Sequence, residues 1–396
     1  MAASISKRFS RGKKANAEHE DELAQAEALL DDHLRRIMPM AERDCAAFDL
    51  VSSAYGLPKD AEEEKAIRAK AIEEAMIGAM IVPEETMCMI RDAFTAVEAV
   101  FAAMAKGDAW NFPVVREAIG YADALYGFKS GFDKAGLSLG VKSGGYWPGN
   151  MKKGLTNHQS TVFLFDPDTG QLQALVGGNY LTAVRTAAAS SVSIAHLARK
   201  DARVLGMVGA GHQSTFQLRA ALEQRDFEKV IGWNLHAPGL SNLQAIAEEK
   251  GLPFESVERE QLAAEADVII TITSAHESLL MKDWVKPGVH IACMGTDTKG
   301  KQEVDPELVA AATVFTDEIA QSITIGETQH AIASGLIKQS DITAIGDVIN
   351  GDHPGRTSDS EITLFDGTGV GLQDLAVASA AAKLAEAQGM AQQVEL

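Results

Sequence analysis

Asp297 is the acidic residue whose position most directly suggests chemistry. It follows the aliphatic run 290–294 and Gly295, which should place it just beyond the carboxyl end of a buried strand, where parallel sheets bind ligands. A carboxylate in such a partly dry cleft can act as a general acid or base, because burial raises its pKa. The same residue could instead cap the turn in Gly-Thr-Asp-Thr-Lys-Gly, and its neighbours leave both interpretations open.

Cationic residues are concentrated in an earlier part of the chain. Although the formal net charge is −19, residues 110–160 contain six lysines and arginines against three acids. The six are Arg116, Lys129, Lys134, Lys142, Lys152 and Lys153. Any one is most simply a solvated surface residue, but together they predict a patch that receives an anionic substrate. Arg185 strengthens this prediction, because a guanidinium inside the alanine-rich helix 182–189 needs an anion as partner.

A glycine-rich turn predicts a nucleotide site. The aliphatic run 204–208 leads into Gly209-Ala210-Gly211, after which a helical pattern begins. Gly209 allows the tight turn, Gly211 lets a pyrophosphate approach the backbone, and the free N–H groups of the helix hold the anion. The order of strand, turn, helix and second strand predicts a dinucleotide cofactor, with a plain βα turn as the alternative.

The residue after the second strand bears on which dinucleotide binds. Asn234 follows the strand 229–233, at the position where NAD-binding proteins usually have an acid for the ribose hydroxyls. Nothing there repels a 2′-phosphate, so NADP is not excluded, but no arginine follows to bind that phosphate. We therefore predict NAD(H) as the cofactor.

Two kinds of sheet must position these residues. Residues 201–339 alternate strands and helices, which predicts a Rossmann-like, doubly wound parallel sheet. Residues 82–200 and 340–396 are predicted to form a substrate-binding and dimerisation domain with an antiparallel sheet. The predicted fold class is thus α/β with an additional α+β domain. Residues 18–81 are predicted to be a helical appendage and residues 1–17 a basic, flexible tail.

Composition restricts the location and the partners. The cysteines Cys45, Cys88 and Cys293 are far apart and predict neither a disulfide nor a metal site, which fits a reducing cytoplasm. The charge of −19 argues against nucleic acid and anionic membranes as partners. No apolar run approaches the ~20 residues of a membrane helix. The basic tail could be a targeting segment, but a cytoplasmic protein with a small-molecule substrate is the simpler prediction.

The chain resembles the ornithine cyclodeaminase/mu-crystallin family from about Val82 to the C-terminus. The stretches that carry the resemblance are Leu-Gly-Val-Lys at 139–142, Leu-Thr-Ala-Val-Arg-Thr-Ala-Ala at 181–188, Gly-Ala-Gly-His-Gln-Ser at 209–214, Asp-Glu-x-x-Gln at 317–321 and Gly-Glu at 326–327. Within the family the chain is most similar to the iminosuccinate reductases. That likeness is carried by residues 111–118, 144–148, 294–301 and 365–374.

This resemblance implies a homodimer, or a higher homo-oligomer, that reduces iminosuccinate, a dicarboxylic imino acid, to L-aspartate with NADH. By position it implies that Arg116, Lys142 and Arg185 contact the substrate and that Lys142 and Asp297 are catalytic. Which of those two handles the proton stays open. The implied cofactor-binding residues are Asn157, His158, Arg185, Gly209, Gly211, His212, Gln213, Asn234, Thr273, Ser274, Thr296 and Lys301.

Two departures from the family and three alternative functions remain. Asn234 replaces an acid, and Gly367 stands where relatives often have a serine. An ornithine cyclodeaminase would use NAD catalytically, but its diamino substrate needs an acid where this chain has mostly cations. A non-catalytic, mu-crystallin-like binding protein is the second alternative. Residues ~20–83 resemble a fragment of the formiminotransferase-cyclodeaminase helical family, which is too short to predict folate chemistry.

Overall fold

The computed structural model of the protein describes residues 82–153 and 155–387. Residues 93–378 form one compact unit. The remaining described residues, 82–92 and 379–387, are the outer parts of the first and last described helices. The predicted basic tail, residues 1–17, and the predicted helical appendage, residues 18–81, lie outside the described residues.

An antiparallel sheet of six strands follows helix α1 (Val82–Ala105). Its strands are β1 (Ala109–Asn111), β2 (Val115–Ala118), β3 (Leu125–Asp133), β4 (Ser138–Tyr146), β5 (His158–Phe165) and β6 (Leu172–Gly177). The strands β3, β4, β5 and β6 pair in chain order, while β1 and β2 share the other edge of β3. This pairing confirms the predicted antiparallel sheet. The sequence could predict it because alternating side chains and Gly-rich turns are local features.

The second sheet is parallel and has eight strands. In spatial order its strands are β15 (Ile342–Ala344), β14 (Thr313–Thr316), β16 (Thr363–Asp366), β12 (His290–Cys293), β10 (Val268–Thr271), β7 (Val204–Val208), β8 (Lys229–Trp233) and β9 (Phe254–Ser256). Strands β11 (His276–Leu280) and β13 (Gln302–Val304) form a small separate pair. The order around β7 is that of a doubly wound nucleotide-binding sheet, which confirms the predicted fold class.

Helices cover the parallel sheet, whose buried aliphatic residues form the core. The α-helices that follow α1 are α2 (Asn179–Leu197), α3 (His212–Leu222), α4 (Leu240–Glu249), α5 (Arg259–Glu265), α6 (Pro306–Ala311), α7 (Ile319–Ile325), α8 (Gln329–Ala333), α9 (Ile345–Ile349) and α10 (Gly371–Ala387). Helix α2 contacts β5 of the antiparallel sheet and β12 and β16 of the parallel one. It therefore connects the two sheets. None of the helices within the described ranges could cross a bilayer.

The predicted domain assignment is wrong for two strands. Residues 340–396 were expected to join the substrate-binding domain, but β15 and β16 lie in the parallel sheet, and β16 sits between β12 and β14. All four residues of β16 are buried although two of them, Thr363 and Asp366, are polar, and a run of four residues does not reveal which sheet it joins. The domain boundaries otherwise stay a prediction.

Candidate active site

The inward face of the antiparallel sheet carries the predicted cations. Arg116 lies opposite Gly127 on β3, and Lys129, two residues further along β3, lies opposite Lys142 on β4. Because alternate residues of a strand share a face, these side chains project to the same side. They line a pocket together with Val114, Gly127, Gly144, His158 and Ser160.

Two of the predicted substrate contacts share one carboxylate. Asp374, in the first turn of α10, places its Oδ2 atom 2.7 Å from Lys142 Nζ and its Oδ1 atom 3.0 Å from Arg185 Nε. Arg185 also donates to Gln373 Oε1 at 3.2 Å. All three charged residues are buried. Arg185 therefore has the anion partner that its place in an apolar helix required.

Burial strongly affects the two basic groups nearest the centre of this cluster. Loss of hydration, with Arg185 nearby, lowers the pKa of Lys142 to about 7 despite the opposing effect of Asp374. Burial and the neighbouring cations, Lys142 first, lower the pKa of His158 to about 3. His158 is therefore neutral at physiological pH, while Lys142 can exchange a proton near neutrality.

Asp297 forms a second ionic group on the other side of the pocket. Arg116 donates to its Oδ2 atom and Lys301 to its Oδ1 atom, each at 2.9 Å. Burial alone would raise the pKa of this carboxyl, but Arg116, Lys301 and Lys129 outweigh burial and hold it well below its usual range. The expectation of a raised pKa was therefore wrong, because the sequence did not reveal that three cations surround Asp297.

The glycine turn has the shape that a bound dinucleotide requires. Gly209 has φ +107°, and a Cβ atom there would lie 2.5 Å from the carbonyl oxygen of Ile272. Gly211 caps α3, and a Cβ atom there would meet no protein atom within 4 Å. Gln213, in the first turn of α3, has a buried Oε1 atom that accepts no hydrogen bond among the described residues. The open backbone at Gly211 and this unused acceptor fit a dinucleotide.

Other predicted cofactor residues surround the same edge of the sheet. Asn234 follows β8 and accepts from the Ala210 N–H at 3.2 Å, so it braces the glycine turn. His212 begins α3 and its ring packs edge-on against Phe216. Ser274 is exposed beyond β10. Asn157 lies apart from this edge, just before β5, where it donates to the Tyr146 hydroxyl at 3.1 Å.

Two buried glutamates hold the loops after β10 and β12. Glu303 accepts from the Thr273 N–H and hydroxyl at 2.6 and 2.7 Å, and from the Gly295 N–H at 2.9 Å. Glu327 accepts from the Thr296 hydroxyl at 2.5 Å. The hydroxyls of Thr273 and Thr296 are therefore engaged inside the protein. Burial and the charge of Glu303 raise the pKa of Glu327 to about 8.

Four residues of this site were absent from the predicted set: Lys129, Asp374, Glu303 and Glu327. Lys129 was visible only as one of six cations, and the strand alternation that places it inward could have singled it out. Glu327 and Asp374 stand in stretches that carry the family resemblance, but their contacts with Thr296, Lys142 and Arg185 are remote in sequence, so the sequence predicted no role for them. Glu303 lies in no such stretch. Across the described ranges, no group of three His, Cys, Asp or Glu residues could hold a metal.

Gly367 now has a structural explanation. A Cβ atom at this position would lie 2.5 Å from Met294 Sδ. The side chain of Met294 thus fills the space that a serine would need. This departure from the family pattern accompanies the methionine, and it leaves the polar residues of the site unchanged.

The chain belongs to the ornithine cyclodeaminase/mu-crystallin family, whose model matches residues 73–388. A second model, formiminotransferase-cyclodeaminase, matches residues 2–109, which lie mostly outside the described residues. Within the family, the chain is 62% identical over 325 residues to an iminosuccinate reductase of Paracoccus denitrificans, covering 82% of this chain and 99% of that protein.

Solved structures agree with this assignment. The iminosuccinate reductase of Paracoccus denitrificans in complex with NAD+ superposes with a TM-score of 0.73 and 64% identity, covering 78% of this chain and 95% of that one. An archaeal alanine dehydrogenase dimer with bound NAD also gives a TM-score of 0.73, at 31% identity and with the same coverage of both chains. Both relatives thus share the fold over most of their lengths.

Proposed function

We propose that this protein reduces iminosuccinate to L-aspartate with NADH. The observation that carries the proposal is the excess of positive charge in one ionic cluster: Arg116, Lys129, Lys142, Arg185 and Lys301 accompany only two acids, Asp297 and Asp374. A dicarboxylate would offset part of this excess with its two negative charges. The relative that is 62% identical is an iminosuccinate reductase, which supports the same substrate.

The glycine turn and the loops around it hold the cofactor in this proposal. The first turn of α3 offers backbone N–H groups beside Gly211, where no side chain blocks a pyrophosphate. Bound NADH supplies the hydride to the imine carbon. Asn234 presents no charge to a ribose 2′-position, and no lysine or arginine follows it before Lys250. This arrangement favours NADH over NADPH, which gains no ion pair there.

We assign the proton to Lys142 and an electrostatic role to Asp297. The imine gains a hydride at carbon and a proton at nitrogen, and a group with a pKa of about 7 is well matched to donate that proton at neutral pH. Asp297 is held in its ionised form by Arg116 and Lys301. An ionised carboxylate cannot donate the proton, but it stabilises a cationic iminium and orients Arg116.

The site fits the alternative functions less well. An ornithine cyclodeaminase must neutralise the distal ammonium group of ornithine, yet both acids of this pocket already pair with cations of the chain. A binding protein without catalytic activity needs no group that exchanges a proton near neutrality, as Lys142 can with a pKa of about 7. Burying a lysine lowers the stability of the folded protein, so a buried lysine with a shifted pKa indicates a functional role.

The experiment that tests the function follows NADH absorbance with purified protein. Oxaloacetate plus ammonium, which generate iminosuccinate in solution, should oxidise NADH rapidly, whereas pyruvate plus ammonium should be a poor substrate. Ornithine plus NAD+ tests the cyclodeaminase alternative and should leave the cofactor unchanged. If no substrate changes the NADH absorbance although NADH still binds, the result favours a binding protein and contradicts the proposal.

We further propose that two copies of the chain associate through the outer face of the antiparallel sheet. The side chains that alternate with the cations point outward and include Trp110, Tyr126, Phe128 and Leu175, all of them exposed. An apolar surface of this kind marks an interaction site. One solved relative is described as a dimer, which supports a second copy of this chain as the occupant.

We also propose a cytoplasmic location. Cys293 is a free thiol, buried among the aliphatic residues of the core. A free thiol is compatible with a reducing compartment. A cell fractionation with an antibody against the protein checks this assignment.

A further inference from the structure

Lys129 is the cation of the cluster that no carboxylate contacts. Its Nζ atom donates to the carbonyl oxygens of Thr368 and Gly369, each at 2.8 Å. Arg116 pairs with Asp297, whereas Lys142 and Arg185 pair with Asp374. Among the residues that the structure describes, Lys129 thus has only neutral acceptors, although it is 5% exposed. A buried ammonium without an anion is unfavourable and points to an anionic ligand.

The neighbours of Lys129 increase this cost. Lys129 lies directly opposite Lys142 on the adjacent strand, and like charges at such paired positions destabilise a sheet. Burial, together with Arg185 and Arg116, lowers the pKa of Lys129 to about 8, even though Asp297 favours the charged form. Two lysines side by side are therefore kept at the expense of stability, which is typical of a binding site.

The backbone segment 368–369, which accepts the hydrogen bonds of Lys129, is itself fixed by hydrogen bonds to an acid. Asp317, at the end of β14, accepts from the Thr368 N–H at 3.0 Å, from its hydroxyl at 2.6 Å, and from the Gly369 N–H at 2.7 Å. The segment 368–369 is thus held by a carboxylate on its N–H side and by the Lys129 ammonium on its carbonyl side. Gly369 has φ +75°, and a Cβ atom there would lie 3.2 Å from Lys129 Nζ. The loop is built to receive this lysine.

We propose that Lys129 binds the second carboxylate of the substrate and thereby selects dicarboxylic over monocarboxylic imino acids. The inference rests on the proposed function and adds a specificity-determining residue to it. Lys142 and Arg185 then serve the end of the substrate that carries the imine. Lys129 lies opposite Lys142 on the adjacent strand and lines the same pocket as Arg116 and Lys142. The second carboxylate therefore meets Lys129 on the same face of the sheet.

The test replaces Lys129 by methionine, whose side chain is also unbranched, is one heavy atom shorter and has no charge. For Lys129→Met, kcat/KM with oxaloacetate plus ammonium should fall about 10- to 100-fold, the value of one charge-assisted hydrogen bond. With pyruvate plus ammonium, kcat/KM should stay the same or rise, so the ratio of the two substrates reports specificity. Lys134→Met, an exposed lysine on the following turn, is the matched control and should change neither value.

A binding measurement separates this role from a purely structural one. Succinate and propionate, which differ by one carboxylate, are titrated calorimetrically into the enzyme saturated with NAD+. Wild type should prefer succinate by about 10- to 100-fold, and Lys129→Met should lose that preference while its NADH affinity stays close to wild type.

The outcomes distinguish this inference from the proposed function. If wild type does not oxidise NADH with oxaloacetate plus ammonium, the proposed function itself fails. If wild type is active but Lys129→Met keeps the preference for the dicarboxylate in both assays, Lys129 is not the determinant and the inference is overturned. A parallel loss with both substrates also overturns it, because that pattern indicates general damage to the site.

Discussion

Lys142 and Asp374 form an ion pair of 2.7 Å that is almost completely shielded from water, with 8% and 1% of their side chains exposed. The lysine lies in the middle of β4 and the acid in the first turn of α10, so the pair joins the antiparallel sheet to the last described helix. Asp374 also holds Arg185 at 3.0 Å. One carboxylate therefore fixes the positions of two predicted substrate contacts, and it favours the charged form of Lys142.

Replacing Asp374 by asparagine should shift the pH dependence of the reaction. Asp374 raises the pKa of Lys142 against the effect of burial, so its loss should lower that pKa further. Because the reaction needs protonated Lys142, the alkaline limb of the kcat/KM profile should move to lower pH, and the value at neutral pH should fall about 10- to 100-fold. Asp168→Asn, at an exposed turn, is the control; an unshifted limb would contradict the role of Asp374.

The assignment of the proton to Lys142 can be decided by comparing two variants. Lys142→Met should reduce kcat by about 10²- to 10⁴-fold and should abolish the limb near pH 7. Asp297→Asn should also reduce kcat, because Arg116 and Lys301 lose their shared anion, but the limb near pH 7 should remain. If the limb near pH 7 is lost only in Asp297→Asn, the proton donor is Asp297 and not Lys142.

The two glycines of the turn should respond differently to alanine. Gly211→Ala should leave the melting temperature unchanged, because the added methyl group meets no protein atom, but it should weaken NADH binding about tenfold or more, since overpacking a contact costs about 1–3 kcal/mol. Gly209→Ala should lower the melting temperature, because φ is +107° and the Ile272 carbonyl is in the way. NADH fluorescence titration and thermal unfolding measure both effects, and equal NADH affinity in Gly211→Ala and wild type would place the pyrophosphate elsewhere.

Glu327 should make stability depend on pH. Burial and Glu303 raise its pKa in the folded protein from 4.5 to about 8, so over this range the folded state keeps a proton that the unfolded state has lost. The free energy of unfolding should therefore decrease as the pH rises from about 4.5 to about 8. Glu327→Gln should flatten this slope in urea unfolding, whereas the exposed Glu277→Gln should not; identical slopes would show that Glu327 is ionised when folded.

The outer face of the antiparallel sheet should control association. Leu175→Asp places a charge on an exposed outward position of β6, and burying that charge between two copies would cost several kcal/mol. Light scattering should therefore show a shift from dimer to monomer. Leu336→Asp, at an exposed position that follows α8, is the control. If Leu175→Asp is still a dimer, the interface lies on another surface.

Local patterns in the sequence were sufficient for the framework of this protein. The alternation of strands and helices predicted the parallel sheet, and the glycine turn predicted the start of α3 and the nucleotide edge. These features depend on residues within a few positions of one another. Arg116, Lys142, Arg185 and Asp297 were also recognised as one set. In the structure Arg116 and Lys142 line one pocket, Asp297 pairs with Arg116, and Arg185 shares Asp374 with Lys142.

The electrostatics of the site were decided by the tertiary structure alone. Arg116 and Asp297 are 181 residues apart in the chain, and Arg185 and Asp374 are 189 apart. The pKa of Asp297 is lowered rather than raised because these contacts form only in the folded protein. In the folded protein Asp374 pairs with Lys142, whereas no carboxylate among the described residues contacts Lys129. Sequence therefore determined which charges are present, and folding determined which of them are neutralised, because Coulomb interactions depend on distance in space and on burial.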